Sequence, residues 1–209
     1  MKLYYSPQSR AVRPRWMLEE IGAPYELVRL QLGTDNKTPA YLKMNPNGTV
    51  PTLVDGDLTL FESAAICQYL ADRFPDKRLA PPVGTPARGL YYQWIHYAMS
   101  ALEPPLVTIF LHTINKPEAE RIPALVSEAR TQLKTVLGVV EQAVLGRTFI
   151  LGDQFTTADV IDRARDLIVG FQAGPRHRAN VEFRTQVVER CVADHPQREV
   201  LLAGFRALG

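Results

Sequence analysis

Residues 75–86 read PDKRLAPPVGTP, with four prolines and a glycine in a stretch through which neither a helix nor a sheet ladder can run far. The hydrophobic pattern differs on the two sides of this stretch, so one continuous element type through the whole chain is excluded. Before it the apolar segments are short. Lys2 to Tyr5 is a β-prone run broken by Ser6-Pro7, and Val12 to Ile21 carries helix formers that stop at Gly22. Tyr25 to Leu30 alternates as a strand, and Ala40 to Met44 suits a helical turn after a polar segment. Pro51 to Val54 and Leu58 to Phe61 flank Asp55-Gly56-Asp57, a strong hairpin signal, and Glu62 to Phe74 is helical. The order β-α-β-(α)-β-β-α implies one parallel crossover followed by an antiparallel hairpin. After the proline-rich stretch, Ala87 to Asn115 and Glu118 to Leu145 show long helical periodicity; in the second, Leu125, Val126, Ala129, Leu133, Val136, Leu137, Val140 and Val144 recur at spacings of three and four. The expected organisation is an α/β domain over 1–76, a linker over 77–86 and an all-helical domain over 87–209. In the latter, Thr156 and Asp159 fit a capping box between Phe155 and Val160.

Within the first half, NPNGTVPTL (45–53) places Pro51 at the start of a strand. Proline cannot donate to a ladder and is confined to strand starts, edges and bulges. A trans proline that starts the strand satisfies this pattern. A cis Val50-Pro51 bond satisfies it too, and would turn the Val50 N–H and C=O outward for an extended, peptide-like ligand.

A chain of 209 residues with 46% hydrophobic and 22% charged content can bury a sizeable core. Its net charge of +2 implies no polyanionic partner, neither nucleic acid nor an anionic membrane. The start MKLYYSPQSR lacks the apolar core of a signal peptide and no later run approaches a membrane span, which makes the cytoplasm the expected location. Cys67 and Cys191 are too far apart in the chain for a disulfide framework or metal cluster and read as inert thiols; no metal is expected.

Taken together, SPQSR (6–10), NPNGTVPTL (45–53), FESAAICQYLADRFP (61–75) and FTTADV (155–160) resemble the glutathione transferase family in order and spacing, from residue 1 to about 160. The N-terminal loop resembles that of bacterial cytosolic, serine-type members. This resemblance implies a thioredoxin-like N-terminal domain, an all-α C-terminal domain, a homodimer, and glutathione as co-substrate. It implies a cis Pro51, with the Val50 backbone pairing with the cysteinyl part of glutathione. Ser63 becomes the ligand of the γ-glutamyl carboxylate and Glu62 its companion near the α-amino group. A cap and a first-turn acid are the plain alternatives for these two. Lys37 would approach the glycine carboxylate, or is a solvated surface lysine.

Catalysis in such a protein requires glutathione to be held as thiolate, the nucleophilic form. Ser9, in the pattern Tyr-Tyr-x-Pro-x-Ser, is the hydroxyl assigned to this task, with Ser6, Tyr5 and Tyr4 as rivals and Arg10 as a possible nearby positive charge. A cysteine-type loop is disfavoured, since no cysteine precedes Cys67. Pro7 together with Tyr91, Trp94 and Tyr97 would line an electrophile pocket between the domains, with Met99 a further candidate. Simple helix packing accounts equally for these aromatic residues, and His96 reads as packed or exposed. The activity implied is attack of the thiolate on a small hydrophobic electrophile. The alternatives are glutathione-dependent isomerisation or dehalogenation on the same scaffold, and a non-catalytic binding or interaction protein.

The likeness ends after Val160. In place of an apolar core helix the chain reads Ile161-Asp162-Arg163-Ala164-Arg165-Asp166, and 8 of its 18 arginines lie from Val160 onward. Residues 160–209 are thus atypical, through a reading frame shifted relative to relatives or through a diverged tail that folds in its own way. Translating the other two frames of the coding DNA separates these: a shifted frame predicts that one of them restores an apolar helix and the usual ending, and its absence in both leaves the diverged tail.

Overall fold

The computed structural model describes residues 1–7 and 9–161. The expected atypical ending therefore lies, but for its first two residues, outside the described residues, as does Cys191.

The first of two compact units takes in Met1–Ala80. Strands β1 (Lys2–Tyr5), β2 (Glu26–Arg29), β3 (Thr52–Asp55) and β4 (Leu58–Phe61) form one sheet in the order β2-β1-β3-β4. β1 and β2 are parallel, joined by helix α1 (Val12–Ile21); β1 with β3, and β3 with β4, are antiparallel. Asp55 extends β3 by one residue beyond the expected strand, so the hairpin closes over Gly56 and Asp57 alone. Gly22, at φ 71, ends α1 in the left-handed conformation, its N–H bonded to the Leu18 carbonyl.

Alternation along β1 divides its side chains between two layers. Leu3 and Tyr5 are buried on one face, where the Arg15 guanidinium of α1 sits 5.6 Å over the Tyr5 ring. Tyr4 turns to the other face and meets Tyr41 of α2 (Pro39–Met44) edge-on, with ring centroids 5.8 Å apart. Helix α3 (Ser63–Arg73) packs against α1, and Trp16, Met17, Leu18, Ile66, Cys67 and Leu70 are fully enclosed. This is the thioredoxin-like arrangement expected for the N-terminal half.

A second unit begins at Pro81 and is helical. Helix α4 (Pro86–Tyr97) is capped by Thr85, whose hydroxyl oxygen accepts from the Arg88 N–H at 3.2 Å. The chain stays helical to Asn115, widening to π geometry at Ala98–Leu102 and Leu111–Asn115 on either side of α5 (Glu103–Phe110). Pro104 and Pro105 have no N–H to bond back into the preceding turn, and the first widening lies where those bonds are missing. Contrary to expectation, Glu118 to Leu145 is not one helix. A short turn at Glu118–Glu120 is separated from α6 (Pro123–Ala143), because Pro123 holds Ile122 in an extended conformation (φ −118, ψ 96) and itself takes the first helical position. Leu102, Leu106, Leu133 and Val136 form the core of this unit, whereas Leu125, on the expected apolar stripe, is exposed. At the capping box Asp159 reaches back to the Thr156 N–H (2.8 Å) and also accepts the Ile150 N–H (2.9 Å). The Thr156 hydroxyl also donates to this carboxylate, at 3.2 Å. No described helix is long and apolar enough to cross a membrane.

Two buried groups make the first unit sensitive to alkali. Burial pushes the Cys67 thiol far above its ordinary 9.0, only partly opposed by the Arg13 charge, and burial raises the Tyr41 hydroxyl from its ordinary 10.0. A raised folded value means that, at alkaline pH, the unfolded chain releases protons that the folded chain keeps. Stability is therefore complete below about pH 9 and falls above it, by roughly 1.4 kcal/mol per pH unit for Cys67, and Tyr41 adds to the decline above its ordinary 10.0. Urea unfolding at pH 7 to 10.5 is expected to show this decline, and Cys67→Ala to flatten its earlier part; an unchanged slope in the variant refutes the assignment.

Candidate functional site

Three breaks in the chain lie at one end of the sheet. β1 runs toward Tyr5 and leaves the sheet at Ser6; β3 enters beside it with Thr52 opposite Tyr4; β4 leaves with Phe61 opposite Thr52. The loop at Ser6 to Ser9, Val50-Pro51 and Glu62-Ser63 each follow or precede that end by a few residues.

Val50-Pro51 is a cis peptide bond. Among the described residues, neither the N–H nor the C=O of Val50 is held by another hydrogen bond. The loop before it is held by polar side chains: Tyr41 donates to the Thr49 carbonyl at 2.7 Å, and Asn45 Nδ2 donates to the same carbonyl at 2.9 Å. Both also reach the hydroxyl of Thr52, which is itself fully buried. A second clamp holds Gly48. Asn36 Nδ2 donates to its carbonyl at 2.6 Å, while Asn36 Oδ1 accepts from the Gly33 N–H at 2.7 Å. Lys37 Nζ donates to the same Gly48 carbonyl at 3.3 Å, which sets an otherwise exposed lysine two residues from Val50.

Glu62 and Ser63 differ in character. Glu62 is exposed and holds φ 74, ψ 113, a conformation that non-glycine residues rarely adopt and that marks strain at a turn. Ser63, 2% exposed, opens α3, where the first N–H groups have no partner in the helix and the dipole is positive. Its Oγ accepts from Arg13 Nη1 at 3.1 Å. A hydroxyl has one proton and two lone pairs, so Ser63 keeps its O–H to donate to an anion.

Ser9 Oγ donates to the Ser6 carbonyl at 2.6 Å and accepts from the Ala11 N–H at 3.3 Å. Having one proton, it can donate to a sulfur only by rotating away from Ser6. Of the rivals, Tyr5 is buried with Arg15 over its ring, Tyr4 is packed on Tyr41, and Ser6 is half-buried. Arg10 is exposed and Pro7 half-buried in the same loop. In the second unit Tyr91 is fully buried, with Arg88 4.9 Å over its ring. Trp94 and Tyr97 make an edge-on pair at 5.5 Å, Tyr97 donates weakly to the Val136 carbonyl at 3.4 Å, and His96 is exposed. Among the described residues no group of three His, Cys, Asp or Glu side chains could hold a metal ion.

Sequence reasoning missed Arg13 and Asn36. Arg13 had a signal: it lies four and eight residues before Met17 and Ile21, on the buried stripe of α1, where a charged side chain needs a partner. Asn36 had none, because its partners at Gly33 and Gly48 are set by how two loops meet. Gly48 offers a test of this junction. At φ 57, an added Cβ would lie 2.8 Å from the Asn36 carbonyl oxygen and 2.9 Å from Lys37 Nζ, whereas at Gly56, φ 60, it would meet nothing within 4 Å. Both Gly→Ala changes incur the left-handed penalty of about 1–2 kcal/mol; Gly48→Ala is expected to lose measurably more in urea unfolding, and equal losses would show that the two loops are not in close contact.

Residues 1–72 match the pattern of the glutathione S-transferase N-terminal domain. The chain is 35% identical over 167 residues to glutathione S-transferase GstA of Escherichia coli O157:H7, covering 76% of this chain and 77% of the relative. It is 32% identical over 163 residues to glutathione S-transferase 3 of Zea mays, covering 76% and 73%. Among solved structures, the theta class glutathione S-transferase of Xanthomonas axonopodis pv. citri, with glutathione bound, superposes with a TM-score of 0.71 at 29% identity over 98% of this chain and 96% of that one. With two relatives above 30% identity over about three quarters of its length, the chain belongs to the glutathione S-transferase family.

Proposed function

We propose that the protein binds glutathione at the sheet end described above and activates its thiol as thiolate for attack on small hydrophobic electrophiles. The observation that carries this reading is the convergence there of an unengaged backbone N–H and C=O at Val50 with the Ser63 hydroxyl at a helix N-terminus. An extended peptide offers a donor and an acceptor to Val50, and its γ-glutamyl carboxylate suits the Ser63 O–H and the first N–H groups of α3. Pro51 closes the Val50 side, Glu62 carries the opposite charge to the α-amino group, and Lys37, held at Gly48, serves the glycine carboxylate. In the Xanthomonas relative glutathione is bound, which supports the ligand.

Ser9 is the proposed donor to the sulfur. Lowering a thiol pKa by about two units takes roughly 2.7 kcal/mol of preferential stabilisation of the anion. One hydroxyl donating to a charged acceptor contributes roughly 1.5–3 kcal/mol, and the N-terminus of α1 adds about 0.3–1. A single donor is sufficient on this scale, and Ser9 is the hydroxyl nearest in sequence to that helix start. Detoxification of electrophiles, a homodimer and a cytoplasmic location belong to the same reading and rest on family membership.

Calorimetric titration with glutathione, combined with a scan of thiolate absorbance against pH, tests the assignment. Wild type is expected to bind and to show thiolate at neutral pH. Ser9→Ala is expected to keep binding within a few-fold, to move the thiolate transition toward the free-thiol range, and to slow turnover by about 30-fold, the equivalent of about 2 kcal/mol. Retention of thiolate in Ser9→Ala, with its loss in Ser6→Ala, Tyr5→Phe or Tyr4→Phe, transfers the role to that rival. Absence of binding by wild type overturns the site as a whole.

A further inference from the structure

The second unit holds a cavity of about 890 Å³ between the end of the helical run at Leu111–Asn115 and the first half of α6. We propose that this groove is a binding site for a small, doubly charged oxyanion of the phosphate-monoester type, separate from the glutathione site.

Cation placement is the first argument. Arg130 and Lys134 lie four residues apart on α6, on one face of the helix, and both are exposed on the groove wall. Among the described residues neither has a carboxylate partner within ion-pair distance. Across from them Arg121 also lines the groove, and it is held in place: Nε donates to the Lys116 carbonyl at 2.9 Å and Nη2 to the Ile114 carbonyl at 3.3 Å. Those bonds use two of its five N–H groups and leave its charge beside the cavity. Against these three cations the lining contains one carboxylate, that of the exposed Glu118. Three like charges around one concavity repel one another, and a dianion converts that repulsion into attraction.

Donor geometry is the second. His112, 8% exposed, lines the groove, and its Nδ1 accepts the Ile122 N–H at 3.1 Å. In the neutral ring the proton therefore sits on Nε2, which makes His112 a fixed donor. The Ser127 hydroxyl adds a small polar group on the same face of α6 as the cations, while that of Thr131, also on the lining, donates to the Ser127 carbonyl at 3.2 Å. A guanidinium fork, a mobile ammonium, an imidazole N–H and a hydroxyl are the donor types that satisfy phosphate oxygens. The volume lies in the range of small-molecule sites and leaves room for an organic group beyond the oxyanion.

The test is calorimetric titration of the full chain with inorganic phosphate and with phenyl phosphate, against chloride at matched ionic strength. Saturable binding at millimolar concentration or below is expected, tighter for phenyl phosphate. Arg130→Ala/Lys134→Ala is expected to weaken binding at least tenfold, Lys134→Glu to abolish it, and Arg130→Lys to keep most of it. Thermal melting of each variant in chloride buffer, together with glutathione binding, confirms folding. Absence of saturable binding by wild type, or equal binding by the folded double variant, overturns the proposal. So does a change from dimer to monomer in the double variant with phosphate binding unaltered, which would make the groove an interface between copies.

Discussion

Tyr4 pairs with Thr52, and Thr52 with Phe61. From these two pairings the whole arrangement of the site follows. The sheet runs β1 outward, β3 inward and β4 outward at one end, so the exit of β1 at Tyr5 comes together there with the entry of β3 at Thr52 and the exit of β4 at Phe61, although a helix, a strand and a second helix separate it from them in the chain. Backbone hydrogen bonding is strong and directional, and a slip of one residue would turn every side chain to the opposite face. The register is fixed by burial on both faces: Leu3 opposite Leu53 in the apolar layer, and Tyr4 opposite Thr52 in the layer that meets α2.

Once that register is set, the polar residues of α2 and its neighbours build the loop that leads to Val50. Asn45, Thr52 and Tyr41 are buried, and each finds its partners in the loop that leads to Val50. Asn36 and Lys37 meet at the Gly48 carbonyl. A buried amide or hydroxyl left without a partner costs about 1–3 kcal/mol, so these groups hold the loop in one conformation more firmly than apolar contacts would. Val50 is thereby left, among the described residues, with its backbone N–H and C=O unengaged. Arg13 does the same for Ser63: by taking one lone pair of the hydroxyl it orients the proton that remains.

The helical unit is organised by proline. Pro104 and Pro105 lie beside the first π segment, Lys116 turns extended before Pro117, and Pro123 starts α6 afresh. Each acts through a missing N–H or through the restricted residue before it. The break between Asn115 and Pro123 also separates Arg121 and His112 from α6 and so opens the groove that Arg130 and Lys134 face.

Much of this was legible in the chain itself. The 3.6-residue and two-residue periods, Gly22, the Asp-Gly turn and the proline-rich stretch at 75–86 locate the elements of the first unit to within a residue or two, since each acts through its own backbone or its nearest neighbours. The family likeness was legible because four motifs keep their spacing. What the chain could not disclose is which groups meet across loops. Asn36 with Gly48, Arg13 with Ser63, and the Ser9 hydroxyl turned to the Ser6 carbonyl are contacts whose geometry depends on the packed sheet and helices. The length of α6 was overestimated for the opposite reason: its apolar period runs through Ile122 and Pro123, but one proline outweighs the pattern locally. Local sequence thus determined the elements, because their periods and breakers act within a few residues. Tertiary structure decided the site, because its hydrogen bonds join residues that only the sheet register brings within 3 Å or so of one another.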